Sequence, residues 1–210
     1  MSGTKQQHKI LNLKASVSTL ERRFSFINIL MKGVGQIMLQ ENAVTGILFL
    51  AGIFYGSVFM GLAAILAVFC GTLTAQILGY DKTEIQKGLY GFSPALVGVA
   101  LMFYFHPVLI IWLAIIAGSA IAAMLQHWFM IKKIPVFTLP FILVTWVILY
   151  LFKSLYPVAP SVFLDTAVSA GQDFAFAFRG FAQVIFQAGV FAGIAFFVGI
   201  FINAPVSALY

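Results

Sequence analysis

Four stretches of this chain contain no Asp, Glu, Lys or Arg: Asn42–Tyr80, Gly88–Ile131, Ile134–Phe152 and Gly180–Tyr210. A helix crosses the hydrocarbon core of a bilayer with about 20 apolar residues. The first two stretches therefore hold two such helices each, the third holds one, and the fourth holds one with a shorter piece. Composition agrees, with 62% of residues hydrophobic and 9% charged, against about half and a quarter in soluble domains. The expected class is an all-α polytopic membrane protein.

The net charge of +6 is concentrated near the start, where Lys5, Lys9, Lys14, Arg22, Arg23 and Lys32 face a lone Glu21. Residues 1–23 are read as a cytoplasmic basic tail beside anionic lipid. No Phe, Tyr or Trp interleaves with the charges of this tail, so nucleic acid is not an expected partner. The single Cys70 excludes an internal disulfide and is read as packing.

Crossings are expected at roughly 43–60, 61–80, 91–106, 108–130 and 134–152. With the amino terminus inside, five of them leave Lys132–Lys133 in the cytoplasm and place 154–178, with Asp165 and Asp173, outside. That satisfies the positive-inside rule for a multi-pass protein of the inner (plasma) membrane. Phe24–Gln40 does not fit as a sixth span: it is about 17 residues long, carries Lys32 in its middle, and would reverse that topology. It is read as a re-entrant half-helix, tolerated where protein or a watery cavity covers its backbone. The alternative is an amphipathic helix on the cytoplasmic face.

An internal repeat organises the rest. "GQIMLQENAVTGILFLAGIF" from Gly35 and "AQVIFQAGVFAGIAFFVGIF" from Ala182 align without gaps at an offset of 147. Gln36/Gln183, Gln40/Gln187, Gly46/Gly193 and Gly52/Gly199 are identical pairs that apolar composition alone does not supply. The expected layout is a first repeat over 24–153 (the half-helix and five crossings), an extracytoplasmic connector over 154–178, and a second repeat opening at 179–210. An odd number of crossings inverts the second unit, and inverted repeats hold substrate near the midplane between discontinuous helices. Counterparts of "LYGFSPALVG" and "IPVFTLPF" would fall near 235–245 and 281–288, so the second repeat is expected to be incomplete and a complete chain to have roughly 300 residues.

Three motifs, "GQIMLQENAVTG" (35–46), "GLYGFSPALVG" (88–98) and "IPVFTLPF" (134–141), together with the repeat, resemble the urea transporter family. Ser93–Pro94 stands where that family has Asn-Gly, Ile134 where it has Leu, and Leu39 where a Phe is common. The resemblance implies a homotrimer with one pore in each protomer. It also implies that Gln36 and Gln183 line the pore at the ends of re-entrant helices. Phe92 and Leu96, with Leu39 and Phe186, would form a flat apolar slot admitting a planar amide edgewise.

The chemistry is consistent with that. A small neutral amide must exchange water for protein hydrogen-bond partners without being held too tightly to leave. Broken helices expose unpaired backbone groups, and proline frees a carbonyl one turn earlier. Pro135 and Pro140 are therefore expected to open the backbone at membrane depth, with Thr138 placing a hydroxyl in the opening; the alternative is an ordinary helix start. Paired glutamines also serve as glue between helices, and Phe92 and Leu96, four apart, also suit a core face. Glu41 is read as interfacial. His106 and His127 lie near helix ends without a nucleophile set or metal-ligand spacing, so neither an enzyme nor a cofactor is expected. The expected function is a passive channel for urea or a closely related amide. The alternatives are a channel for another small solute such as ammonium, or a truncated subunit that does not conduct alone.

Overall fold

The computed structural model describes residues 25–135, 137–161, 176–187 and 189–209. The basic tail and the two aspartates of the connector lie outside them. Among the described residues the regular structure is helical. Ser25–Met38 (α1), whose last turn Gln36–Met38 is 3-10, bends by 74° onto Ala43–Gly56 (α2). Then follow Val58–Ile77 (α3), Lys82–Gln86 (α4), Phe92–Tyr104 (α5), Leu109–Ile131 (α6) and Leu139–Tyr150 (α7), which runs on as a π turn over Leu151–Leu155. Phe176–Gln183 (α8), Val190–Asn203 (α9) and Pro205–Leu209 (α10) complete the order.

Among the described residues α3 and α6 each suffice by length and hydropathy to cross a bilayer; the bent α1–α2 pair passes the same test if taken as one broken span and is otherwise a re-entrant loop, while α5, α7 with its π turn, and α9 are shorter apolar helices. α5 forms the centre, with every side chain from Phe92 to Phe103 buried. It packs against α3, α6 and α7. The contact faces are rich in small residues: Ala63, Ala64, Ala67 and Gly71 on α3, and Gly118, Ser119, Ala122 and Ala123 on α6. In lipid, where apolar burial gives no preference for neighbouring protein, close approach over small residues is what holds helices together. Large apolar side chains such as Leu109, Trp146 and Phe191 point outward, as a lipid-facing surface requires. Beyond α7, Ser161 donates through its hydroxyl to the Phe103 carbonyl and through its amide to Tyr104 O at 3.1 Å, and His106 N donates to Ala159 O at 3.0 Å. This strap supplies partners for the end of α5.

Two boundaries differ most from expectation. The first run breaks at Ser57 rather than after residue 60, because Ser57 turns extended (φ −160°) and its hydroxyl accepts from Met60 N at 3.3 Å, capping α3. The helix expected over 134–152 begins at Leu139, not 134, with Pro140 in its first turn. Proline is well suited there, since the N–H it lacks has no partner in a first turn anyway. Pro140 thus starts a helix rather than breaking one. The opened backbone lies before it, where Lys133 (φ 54°) and Phe137 (φ 43°) are left-handed.

Candidate functional site

The backbone is constrained at the break between α1 and α2. Leu39 adopts φ 57°, ψ 30°, with its amide on Gln36 O at 2.9 Å and Gln40 N on Gly35 O at 3.1 Å. A left-handed conformation is uncommon for a bulky side chain, and such strain gathers at functional positions. At an offset of 147 the same turn recurs: Phe186 has φ 55°, its amide bonds Gln183 O at 3.1 Å, and Gln187 N bonds Ala182 O at 3.1 Å. The helices that follow repeat at the same offset, α2 over 43–56 and α9 over 190–203. So do their ends, Ser57 N on Ile53 O at 2.8 Å and Ala204 N on Ile200 O at 2.7 Å.

The two helices meet through equivalent residues. The rings of Phe49 and Phe196 meet with centroids 4.5 Å apart and planes tilted by 40°. A Cβ on Gly52 would sit 3.2 Å from Phe196, and one on Gly199 would sit 3.0 Å from Phe49. Thr45 donates to Gly199 O at 2.7 Å inside the same seam. A contact in which each residue meets the copy of its partner's partner is the pattern of a twofold relation.

Side chains around the two breaks are not alike. Asn42 caps α2 by accepting from Val44 N at 2.8 Å and Thr45 N at 3.3 Å. Its Nδ2 donates to Asn203 Oδ1 at 3.1 Å, and Asn203 Nδ2 donates to Gln40 Oε1 at 2.6 Å. Lys32, the unexpected charge in α1, pairs across the break with Glu41 at 3.3 Å. On the other side Gly189 caps α9 without a side chain. There Gln187 rests against Gly56, with its Nε2 3.0 Å from the Met60 sulfur.

The residues predicted from sequence fall as follows. Gln36 is buried, and its Nε2 donates to Lys87 O at 3.0 Å, ahead of α5. Leu39 is exposed, at 66%. Phe92 and Leu96 are buried on the first turns of α5, against which the last turn of α1 packs. Thr138 precedes α7, half-buried, and its hydroxyl makes no capping bond. Gln183 is exposed. Phe186 lies at the far end of α5 from Phe92, its ring 5.2 Å from Phe103, 6.2 Å from Tyr104 and 6.4 Å from Phe141. The structure therefore brings Gln36 and the start of α5 together, and places Phe186 in a separate aromatic group. Among the described residues, sequence reasoning missed one polar cluster around Tyr90. Its hydroxyl donates to Glu84 and lies 2.8 Å from His127 Nδ1, while the His127 ring stacks on Tyr80 at 3.5 Å. Burial, then the Glu84 carboxylate, pushes the Tyr90 phenol up.

A sequence profile described as "Urea transporter" matches residues 27–210. This chain belongs to the urea transporter family. Urea transporter 1 of Mus musculus is 28% identical over 127 residues, covering 55% of this chain and 32% of that relative. Urea transporter 1 of Ovis aries is 29% identical over the same extent. The chain thus spans about a third of the length of these curated urea transporters.

Proposed function

We propose that this chain forms part of a passive, membrane-spanning path for urea or a closely related small neutral amide, lying between two oppositely oriented repeats. The observation that carries the reading is the duplicated helix break, with Leu39 and Phe186 left-handed at the same place of each copy and their helices packed reciprocally. Membership of the urea transporter family supplies the solute. Gln36, Leu39, Phe92, Leu96, Thr138, Gln183 and Phe186 are the proposed lining. The Gln36 carboxamide, buried and anchored through its nitrogen, suits recognition of an amide. Phe92 and Leu96 supply an apolar wall that weakens competition from water. A pore of this kind holds its solute by a few hydrogen bonds and passes it down its gradient. The reading includes a trimer of such chains in the inner membrane, with the amino terminus cytoplasmic, and transport rather than catalysis.

The test is urea flux into proteoliposomes containing the intact protein. Saturable flux that persists without sodium or proton gradients is expected. Flux that collapses with either gradient, or its absence, overturns the proposal. Ammonium in place of urea separates the other solute reading.

A further inference from the structure

The Tyr90 cluster is not part of either break, yet the turn that carries it touches Gln36. Tyr90 is 1% exposed, and its hydroxyl has two neighbours, Glu84 Oε2 and His127 Nδ1. A phenol has one hydrogen. Donating it to the Glu84 carboxylate requires His127 Nδ1 to donate in return. Tyr80, stacked on the imidazole with 11° between planes, holds that ring's orientation. The segment between is closed by its own hydrogen bonds: Leu89 N to Glu84 O at 3.2 Å, Gly88 N to Ile85 O at 2.9 Å, and Gly91 N to Gly88 O at 3.0 Å. It leaves no slack against α1, since a Cβ on Gly88 would sit 2.4 Å from Gly33 N. One turn along α1 from that contact, Gln36 Nε2 donates to Lys87 O at 3.0 Å. A carbonyl accepts only from a donor, so this bond fixes which end of the carboxamide is nitrogen. Oε1 is left without a protein partner among the described residues.

We propose that Tyr90, Glu84 and His127 are positioning residues for Gln36. They clamp the 84–91 turn from α6, so that the Lys87 carbonyl holds Nε2 and Oε1 is presented to accept from an amide N–H. The proposal rests on the amide-pathway reading above. Without the clamp the turn relaxes, Lys87 O drifts, and the carboxamide is free to rotate and present its nitrogen instead. Solute selection weakens while the fold stays intact.

The experiment is a variant cycle in the intact protein, read in two ways. In urea flux, Tyr90→Phe and His127→Leu are each expected to raise the half-saturating urea concentration about three- to tenfold, the range of one lost hydrogen bond, with maximal flux little changed. His127→Asn, whose amide N–H lies near the Nδ1 position, is expected within about twofold of the parent, a conservative rescue. In a Gln36→Ala background, Tyr90→Phe is expected to add nothing further, because it acts through the side chain already removed. Independent fold-increases in that background, or His127→Asn as harmful as His127→Leu, overturn the proposal. The second reading needs no solute. Hydrogen exchange at the Gly88, Leu89 and Gly91 amides is expected to accelerate at least fivefold in Tyr90→Phe and His127→Leu but not in His127→Asn. Unchanged exchange in all three overturns the clamp. Faster exchange in a protein that passes no urea upholds the clamp while overturning the solute assignment.

Discussion

The two helix breaks share a backbone and differ in what supports it. At 35–43 the turn is held by a capping asparagine, an Asn203–Gln40 bond and the Lys32–Glu41 pair. At 182–190 the same hydrogen-bond pattern is held with a glycine cap and a glutamine against a thioether. Polar support is therefore not what shapes the turn. The left-handed residue and the reciprocal packing of α2 on α9 do that. The two turns also differ in how tightly they close. At Gly35 a Cβ would sit 2.6 Å from Gln40 O, yet Ala182 carries one at the equivalent place. The second turn has room for a methyl that the first lacks.

The largest expected effect tests the tightness of the first break. A Cβ on Gly46 would sit 1.8 Å from the Met31 carbonyl oxygen. Backbone cannot retreat as a side chain does, so Gly46→Ala is expected to cost at least about 3 kcal/mol, the top of the usual overpacking range. Loss of monodisperse protein in detergent, or a thermal midpoint many degrees lower, is the measurement; a midpoint like the parent's would show that α1 slides freely on α2. Next comes Asn42→Ala, which removes the cap and the bond to Asn203. A loss of about 1–2 kcal/mol is expected. The lost cap should be seen as faster exchange at the Val44 and Thr45 amides, whose acceptor is removed. An equal loss from Gly189→Ala would break the contrast between the two sites.

Smaller again is the coupling between Phe49 and Phe196. Aromatic pairs contribute about 0.5–1.5 kcal/mol beyond area, and a double-mutant cycle with Leu at each position is expected to recover that. Additive losses would mean that the rings merely coexist. The smallest effect sharpens the comparison from the other side. Gly189 already has cap-like backbone (φ −78°, ψ 135°), with open space where a Cβ would go. Gly189→Asn is expected to stabilise by a few tenths of a kcal/mol, the usual gain of Asn over Gly at that position. A larger gain would show the second break to be looser than its hydrogen bonds imply.

The sequence made the duplicated turn legible because glycines and glutamines recur in register where apolar drift would have erased them. Lys32 and the shortness of Phe24–Gln40 set that segment apart from the crossing after it, and the structure divides the two by a 74° bend. Helix ends were harder. Ser57 ends one helix and starts another through a single hydroxyl within an uncharged run, which hydropathy does not register. Pro140 carries the same letter whether it starts a helix or breaks one, and only the left-handed residues before it decide. The Tyr90 cluster was invisible because its members are 6 and 37 positions apart. The available signal was a histidine one turn from the end of α6, opposite a turn bearing Glu84 and Tyr90.

Two separate half-chains meeting through Phe49 and Phe196 would form a symmetric dimer, present only above its dissociation constant. In such a dimer every substitution at the seam is felt twice. Joined in one chain, the second face arrives at an effective concentration fixed by the intervening polypeptide, whatever the protein's abundance in the membrane. Each side is then free to change alone, which is how Asn203 stands in α9 at the position that Gly56 holds in α2.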